Sequence, residues 1–263
     1  KNIILASQFF SSNDSSLIEQ TIIDGDGGPA IVVDAAASGA KIIGFSIRNA
    51  SDGIITSAVI DIRHNHISQC GDGVDYEPGS GGTCAFNRIE NNSEEGIDLH
   101  RQLDITIENN IIRNNGNDGI QIRLSETAQP LIYRVRRNQI TANGQDGIQL
   151  IDDGLLMERV FFFEYNTIDS NAAAAIGMVD SSANEENFAA ASLKDRIYLF
   201  NNTLVANQYG VTGGDNIVAL NNLIISTQKT ALKHIDGASI VAHGLLWNNG
   251  TDFEASNVDS ATI

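Results

Sequence analysis

The sequence predicts an all-β solenoid, because three observations coincide. First, one frame recurs along most of the chain. It has an Asn, an aliphatic residue two positions on, a second Asn five after the first, and a closing Gly-aliphatic-x-aliphatic run. Residues 110–122 are its cleanest copy. It returns as Asn87/Ile89/Asn92/Gly96-Ile97, Asn138/Ile140/Asn143/Gly147-Ile148, Asn166/Ile168/Asn171 and Asn202/Leu204/Asn207/Gly210-Val211, with looser copies at Asn65/Ile67/Gly73-Val74 and Asn222/Ile224. Second, successive first Asn residues lie 22, 23, 28, 28, 36 and 20 residues apart. Self-similarity of this kind means stacked units, each unable to bury its apolar side alone. Third, apolar residues alternate in short runs, as in Ile105, Ile107, Ile112, Ile120 and Ile122, which is strand periodicity. Three short strands and about 22 residues per turn describe a single-stranded right-handed parallel β-helix of about ten coils, with rungs about 4.8 Å apart.

The elements follow in order. In residues 1–40, Thr21-Ile-Ile-Asp-Gly and Ile31-Val-Val read as two opening strands around a Gly-rich turn, and the polar residues 11–16 as a loop. These coils are expected to shield the open end of the stack. From Lys41 the stacking is regular. The first Asn column (65, 87, 110, 138, 166, 202, 222) falls at a tight turn, where Asn tolerates the left-handed backbone and its amide can bond the rungs above and below. The aliphatic column two residues on builds the core. Length varies mainly in the connection after the Gly-Ile strand: residues 75–83, 123–130 and, longest, 179–194, where Ala189 and its neighbours add a short helix. Solenoids gather insertions on one face, commonly the binding face. From Ile235 the pattern decays into a C-terminal cap, with Trp247 as an anchor at the end of the stack. The whole, residues 1–263, reads as one domain.

Composition narrows the partners. The chain has 24 Gly, only 3 Pro and a net charge of -17, with no basic run. Nucleic acid and anionic membrane are therefore poor partners, and no stretch is apolar enough to cross a bilayer as a helix. No signal peptide is visible in a chain that starts at Lys1, as in a processed or trimmed product. A secreted, periplasmic or cell-surface location is expected. Cys70 and Cys84 bracket one Gly-Val-Asp-Tyr segment, and either a disulfide or two free thiols is consistent with that spacing. Nothing in the sequence sets the oligomeric state.

Candidate chemistry gathers on the Gly-Ile strands, which place one residue outward between two inward ones. Stacking them gives an outward column of Asp75, Asp98, Gln121 and Gln149, and two positions on a second column of Glu77, His100 and Arg123. Asp75, Asp98, His100 and Arg123 form the candidate catalytic group. Paired carboxylates one rung apart can share acid and base roles or hold Ca²⁺, His100 can move a proton near neutral pH, and Arg123 can grip a sugar carboxylate. Tyr76, Glu77, Arg101, Gln121, Gln149, Asp152 and Asp153 are candidate substrate contacts. Tyr133 and Tyr165 are more at home in the core or at its rim. A further acidic column runs just before the strands: Asp52, Asp72, Glu95, Asp118 and Asp146. Each of these either caps local backbone N–H groups or, for Asp72, Glu95 and Asp118, holds Ca²⁺ between turns. Ca²⁺ is the one cofactor these acidic columns suggest. His64 and His66 flank a tight turn and read as surface histidines.

On these repeats the chain resembles the right-handed parallel β-helix proteins of the pectin lyase-like superfamily over nearly its whole length. That superfamily spans lyases, epimerases, hydrolases, tailspikes and adhesins, with enzyme clefts usually on the face where the columns lie. Gly96-Ile-Asp98-Leu-His100 looks like the Gly-Phe-Asp-Pro-His segment of mannuronan C5-epimerases, which implies that Asp98 and His100 hold that family's catalytic Asp and His positions. Leu99 replaces the Pro, and Glu95 stands where that family has its catalytic Tyr; Tyr76, one coil earlier, is the tyrosine offered in its place. Thr21-Ile-Ile-Asp-Gly also looks like the opening of many secreted β-helix proteins. The expected function is action on a polysaccharide, by lyase or C5-epimerase chemistry on a uronic-acid polymer. The alternatives are inverting hydrolysis of a neutral glycan by Asp75 and Asp98, and a non-enzymatic adhesin or stalk.

Overall fold

Alternating apolar residues and repeated turn signals produce short strands that pair only with the same strand one rung away. The computed structural model describes residues 3–100, 104–125, 130–153, 158–180, 191 and 193–258. Among them, every strand pairing is parallel. One ten-stranded sheet climbs one side of the molecule. The other two strand columns are joined into a second sheet, because the strands Ser46–Thr56 and His66–Tyr76 run through both. The column of strands Ile97–His100, Ile120–Arg123 and Ile148–Asp152 carries the candidate site. The column of Arg88–Glu90, Ile111–Arg113 and Gln139–Thr141 precedes it by one turn.

The aliphatic column lies inside as expected: Ile67, Ile89, Ile112, Ile140 and Ile168 are fully buried. Burying each stabilises the fold by about 1.5–3 kcal/mol. Two asparagine ladders run beside it. In the first, the Asn110 Oδ1 accepts from the Asn87 backbone N–H at 2.9 Å and from its Nδ2 at 3.1 Å, and the pattern repeats from Asn65 to Asn222. The second runs from Asn92 through Asn115, Asn143 and Asn171 to Asn207. Each amide thus satisfies buried backbone groups that water cannot reach. The Gly of each Gly-Ile strand is required by close approach: a Cβ on Gly96 would lie 2.6 Å from the Gly119 carbonyl oxygen and 2.6 Å from the Ile112 methyl.

Several expectations need correction. The left-handed backbone falls on the residue before each ladder Asn, at Phe86, Asn109, Arg137 and Tyr165 among others. The ladder Asn itself is freed to face inward. Residues 11–16 are not simply a loop: they fall in helices Phe9–Ser12 and Ser16–Gln20 and the turn between them. Cys70 and Cys84 are both free and buried, so there is no disulfide between them. The rung pattern does not decay at Ile235; strands Ile240–Ala242, Leu245–Trp247 and Thr251–Glu254 continue it. Trp247 is exposed rather than an anchor. Ala189 and the short helix expected there lie outside the described residues.

Candidate functional site

Strand parity decides which side chains meet. In Ile97–His100, Ile97 and Leu99 point inward, leaving Asp98 and His100 on the outer surface. Parallel pairing sets Asp98 beside Asp75 on one side and Gln121 on the other, with Gln149 beyond. It sets His100 beside Arg123. The four candidate catalytic residues are therefore brought together. His100 Nε2 lies 2.9 Å from Asp98 Oδ2 and 3.5 Å from Asp75 Oδ1, and Arg123 Nε lies 3.5 Å from Asp98 Oδ2. Asp98 is covered, with a side chain only 5% exposed, whereas His100 and Arg123 are 32% and 44% exposed. The arrangement is a sunken carboxylate beneath an accessible imidazole and guanidinium.

The electrostatics follow from that layering. The hydrogen bond to Asp98, with the charges of Asp98 and Asp75, raises the His100 pKa above its ordinary value; burial and Arg123 pull the other way. Burial pushes Asp75 up to about 6, and Glu77, Asp98 and Asp52 add to the rise while His100 opposes it. The Asp98 Oδ1 and Gln121 Oε1 atoms are buried without a hydrogen-bond partner. Gln121 turns its Nε2 away from the cleft, donating to Glu95 Oε1 at 3.0 Å and Asp118 Oδ2 at 3.1 Å. The Gln149 Nε2 reaches Asp146 Oδ2 at 3.4 Å. Both glutamines thus tie the strand face to the acidic turn column.

That acidic column caps backbone from rung to rung. Asp72 Oδ1 accepts from the Glu95 N–H at 2.9 Å, and Asp118 Oδ1 from the Asp146 N–H at 2.7 Å. The carboxylates that gather most closely are Asp72, Glu95 and Glu94, with ligand atoms all within 4.8 Å of one another. Glu94 replaces Asp118 in the expected trio, because Asp118 is drawn toward Gln121 and the next rung. Three carboxylates are about half of the 6–8 oxygens that Ca²⁺ takes. Burial, then the hydrogen bond and charge of Glu95, push Asp72 up to about 8. A carboxyl with a raised folded-state pKa contributes stability that is complete below its unfolded pKa and lost as pH rises through the folded one. The protein is expected to lose up to about 1.4 kcal/mol per pH unit from this group between about pH 4 and pH 8. Thermal melts of Asp72→Asn should show a flatter dependence and a higher midpoint than wild type at pH 8. Identical slopes for both proteins would refute the assignment.

The remaining candidates are placed as follows. Tyr76 is not at the surface: it shares the inward column of Leu99 and Ile122, is fully buried, and its phenol lies against the Cys84 thiol. It can neither stack on a sugar nor replace a catalytic tyrosine. Glu77 is half-buried beside Asp75. Arg101 lies outside the described residues. Asp152 is buried in register with Asp180. Asp153 is committed to Arg159, its Oδ1 3.1 Å from Nη2.

Two clusters were missed by sequence reasoning. Arg159, with a side chain 1% exposed, pairs with Asp195 at 2.8 Å and donates to the Ser125 carbonyl at 2.9 Å, so it gathers three connections around one guanidinium. His66 is not a plain surface histidine: its Nδ1 meets Glu19 at 2.9 Å and its Nε2 meets Glu90 at 3.1 Å. Burial would raise Glu90, but the guanidinium groups of Arg88 and Arg113 hold it down to about 2. Stacking the third-strand column by offset would have paired Glu90 with Arg113.

A parallel-strand solenoid bearing a charged patch on one strand column defines the class. The family model describing a right handed beta helix region matches residues 7–156, and the chain belongs to that family. Compared with curated proteins, the chain matches none. Membership fits a carbohydrate-active or surface β-helix protein.

Proposed function

We propose that the protein is a lyase or C5-epimerase acting on a uronic-acid polymer, with the polymer lying across the strands of Asp98, His100 and Arg123. The observation that carries this reading is the 2.9 Å contact between Asp98 and His100 Nε2 with Arg123 one rung away. A carboxylate on Nε2 keeps the proton there and leaves the Nδ1 lone pair as base. Nδ1 has no hydrogen-bond partner among the described residues. The C5–H bond breaks, the proton passes to Nδ1, and the electron pair moves into the sugar carboxylate, which Arg123 neutralises. In elimination the pair then forms the C4–C5 double bond and expels the C4 oxygen, which takes a proton; Asp75 is the nearby acid. In epimerisation C5 regains a proton from water on its opposite face, and the imidazolium returns its own proton to solvent.

Hydrolysis is less well supported. Inverting pairs are separated by about 6.5–9.5 Å to admit water, whereas Asp75 and Asp98 converge on one imidazole nitrogen. The test is reaction of alginate and polygalacturonate in deuterated water. Deuterium at C5, the mark of epimerisation, or ultraviolet-absorbing unsaturated ends, the mark of elimination, supports the proposal. New reducing ends without either product, or no reaction, rejects it. Because Asp98 raises the His100 pKa, Asp98→Asn should move the acidic limb of kcat/KM to lower pH as well as reduce its height.

A further inference from the structure

We propose a second sugar site on the opposite edge of the cleft-bearing sheet, a slot at Asn109 that takes one uronic-acid ring edge-on. Its basis is a column of flat side chains. His64, Phe86, Asn109, Arg137 and Tyr165 occupy one turn position on successive rungs, with φ between 54° and 58° at each. The backbone N–H at each bonds to the carbonyl one rung on, so all five side chains leave the backbone in the same direction. Phe9 and His64 lie 5.0 Å apart, and His64 and Phe86 stack at 5.1 Å with planes 8° apart. Further along, the Arg137 guanidinium lies over the Tyr165 ring at 5.5 Å. Asn109 interrupts this stack. Its short side chain leaves two rungs, about 10 Å, between the Phe86 ring and Arg137. That spacing admits one ring at stacking distance from each wall.

The surroundings specify the guest. Phe86 is 46% exposed, and its face away from His64 meets no other ring among the described residues. A groove of about 600 Å³ opens beside it, lined by Phe86, Arg88, Asn109 and Ile111 among others. Its one carboxylate among the described residues, Glu19, is engaged by His66. Arg137 carries no ion pair among the described residues. A pyranose ring offers an apolar face to Phe86, hydroxyls to the Asn109 amide and, when it is a uronic acid, a carboxylate to Arg137. This site stands apart from Asp98 and His100 and does not need their chemistry.

The test uses the full chain carrying His100→Ala and Arg123→Ala, so that turnover and the cleft contribute nothing. Titration calorimetry is run with hexamers of galacturonate and mannuronate and with cellohexaose. A uronate hexamer should bind, and cellohexaose more weakly. Phe86→Ala should weaken uronate binding about tenfold. Asn109→His, which plugs the slot with a residue this backbone accepts at position 64, should weaken it as much. Melting curves confirm that each variant folds. Unchanged affinity in both variants, no binding of any hexamer by the parent, or cellohexaose bound as tightly as the uronates would overturn the proposal. A parent that binds while wild type neither takes up deuterium at C5 nor forms unsaturated ends would separate this site from the catalytic reading.

Discussion

His100→Ala is expected to lower kcat/KM on a uronic-acid polymer by about 10²–10⁴, the usual contribution of a positioned general base. The effect should fall on catalysis rather than folding, since His100 is a third exposed and its ion pairs run to Asp98 and Asp75 on the outer face. Its removal also takes away the positive charge that opposes the rise of Asp75, so Asp75 should titrate above its present value of about 6. Steady-state kinetics with a melting curve on the same sample checks both parts. Full turnover in a folded variant would dismiss His100 as the base. Loss of turnover together with a collapse of the fold would show a structural role instead.

The largest expected effect on stability belongs to Arg159. Its guanidinium is almost wholly enclosed and Asp195 is completely so, while Asp153 is partly buried. Removing one partner of a buried pair leaves an uncompensated charge and costs about 3–5 kcal/mol. Arg159→Ala should therefore lower the unfolding midpoint by roughly 10 °C in a chain of this size. The double variant Arg159→Met/Asp195→Leu should recover most of that, because well-packed apolar residues often replace a buried pair without loss. Denaturant unfolding of the single and double variants gives the comparison. Equal losses in both would mean that packing rather than charge matters here. Since Arg159 also holds the Ser125 carbonyl and Asp153, the single variant should loosen connections that follow the cleft strands.

The two rules that proved readable in the chain are both local. Parity along a strand and register between rungs depend only on spacing, so the Ile columns, the Asn ladders and the meeting of Asp98, His100 and Arg123 could be written down from sequence. Tyr76 was misplaced by setting parity aside: it occupies the same inward column as Leu99 and Ile122, and its affinity for sugars as a residue type outweighed its position. The left-handed turn was assigned to the ladder Asn on propensity. The fold instead needs that Asn inward and forces the strain onto its predecessor, even where that is Phe86, Arg137 or Tyr165. Arg159 and Asp195 were invisible because they stand 36 positions apart, outside the repeating frame. The helix Phe9–Ser12 is too short to show a period.

The ladder asparagines bond to their counterparts on adjacent rungs and to carbonyls of the neighbouring strands, so the length of the connections between two of them along the chain is not sensed by the lattice. Intervals from 20 to 36 residues coexist in one stack for that reason. Recognition can thus be rewritten by exchanging a bulge at the rim while the spine stays as it is. Excising a complete turn should be tolerated where deleting a single residue within one is not.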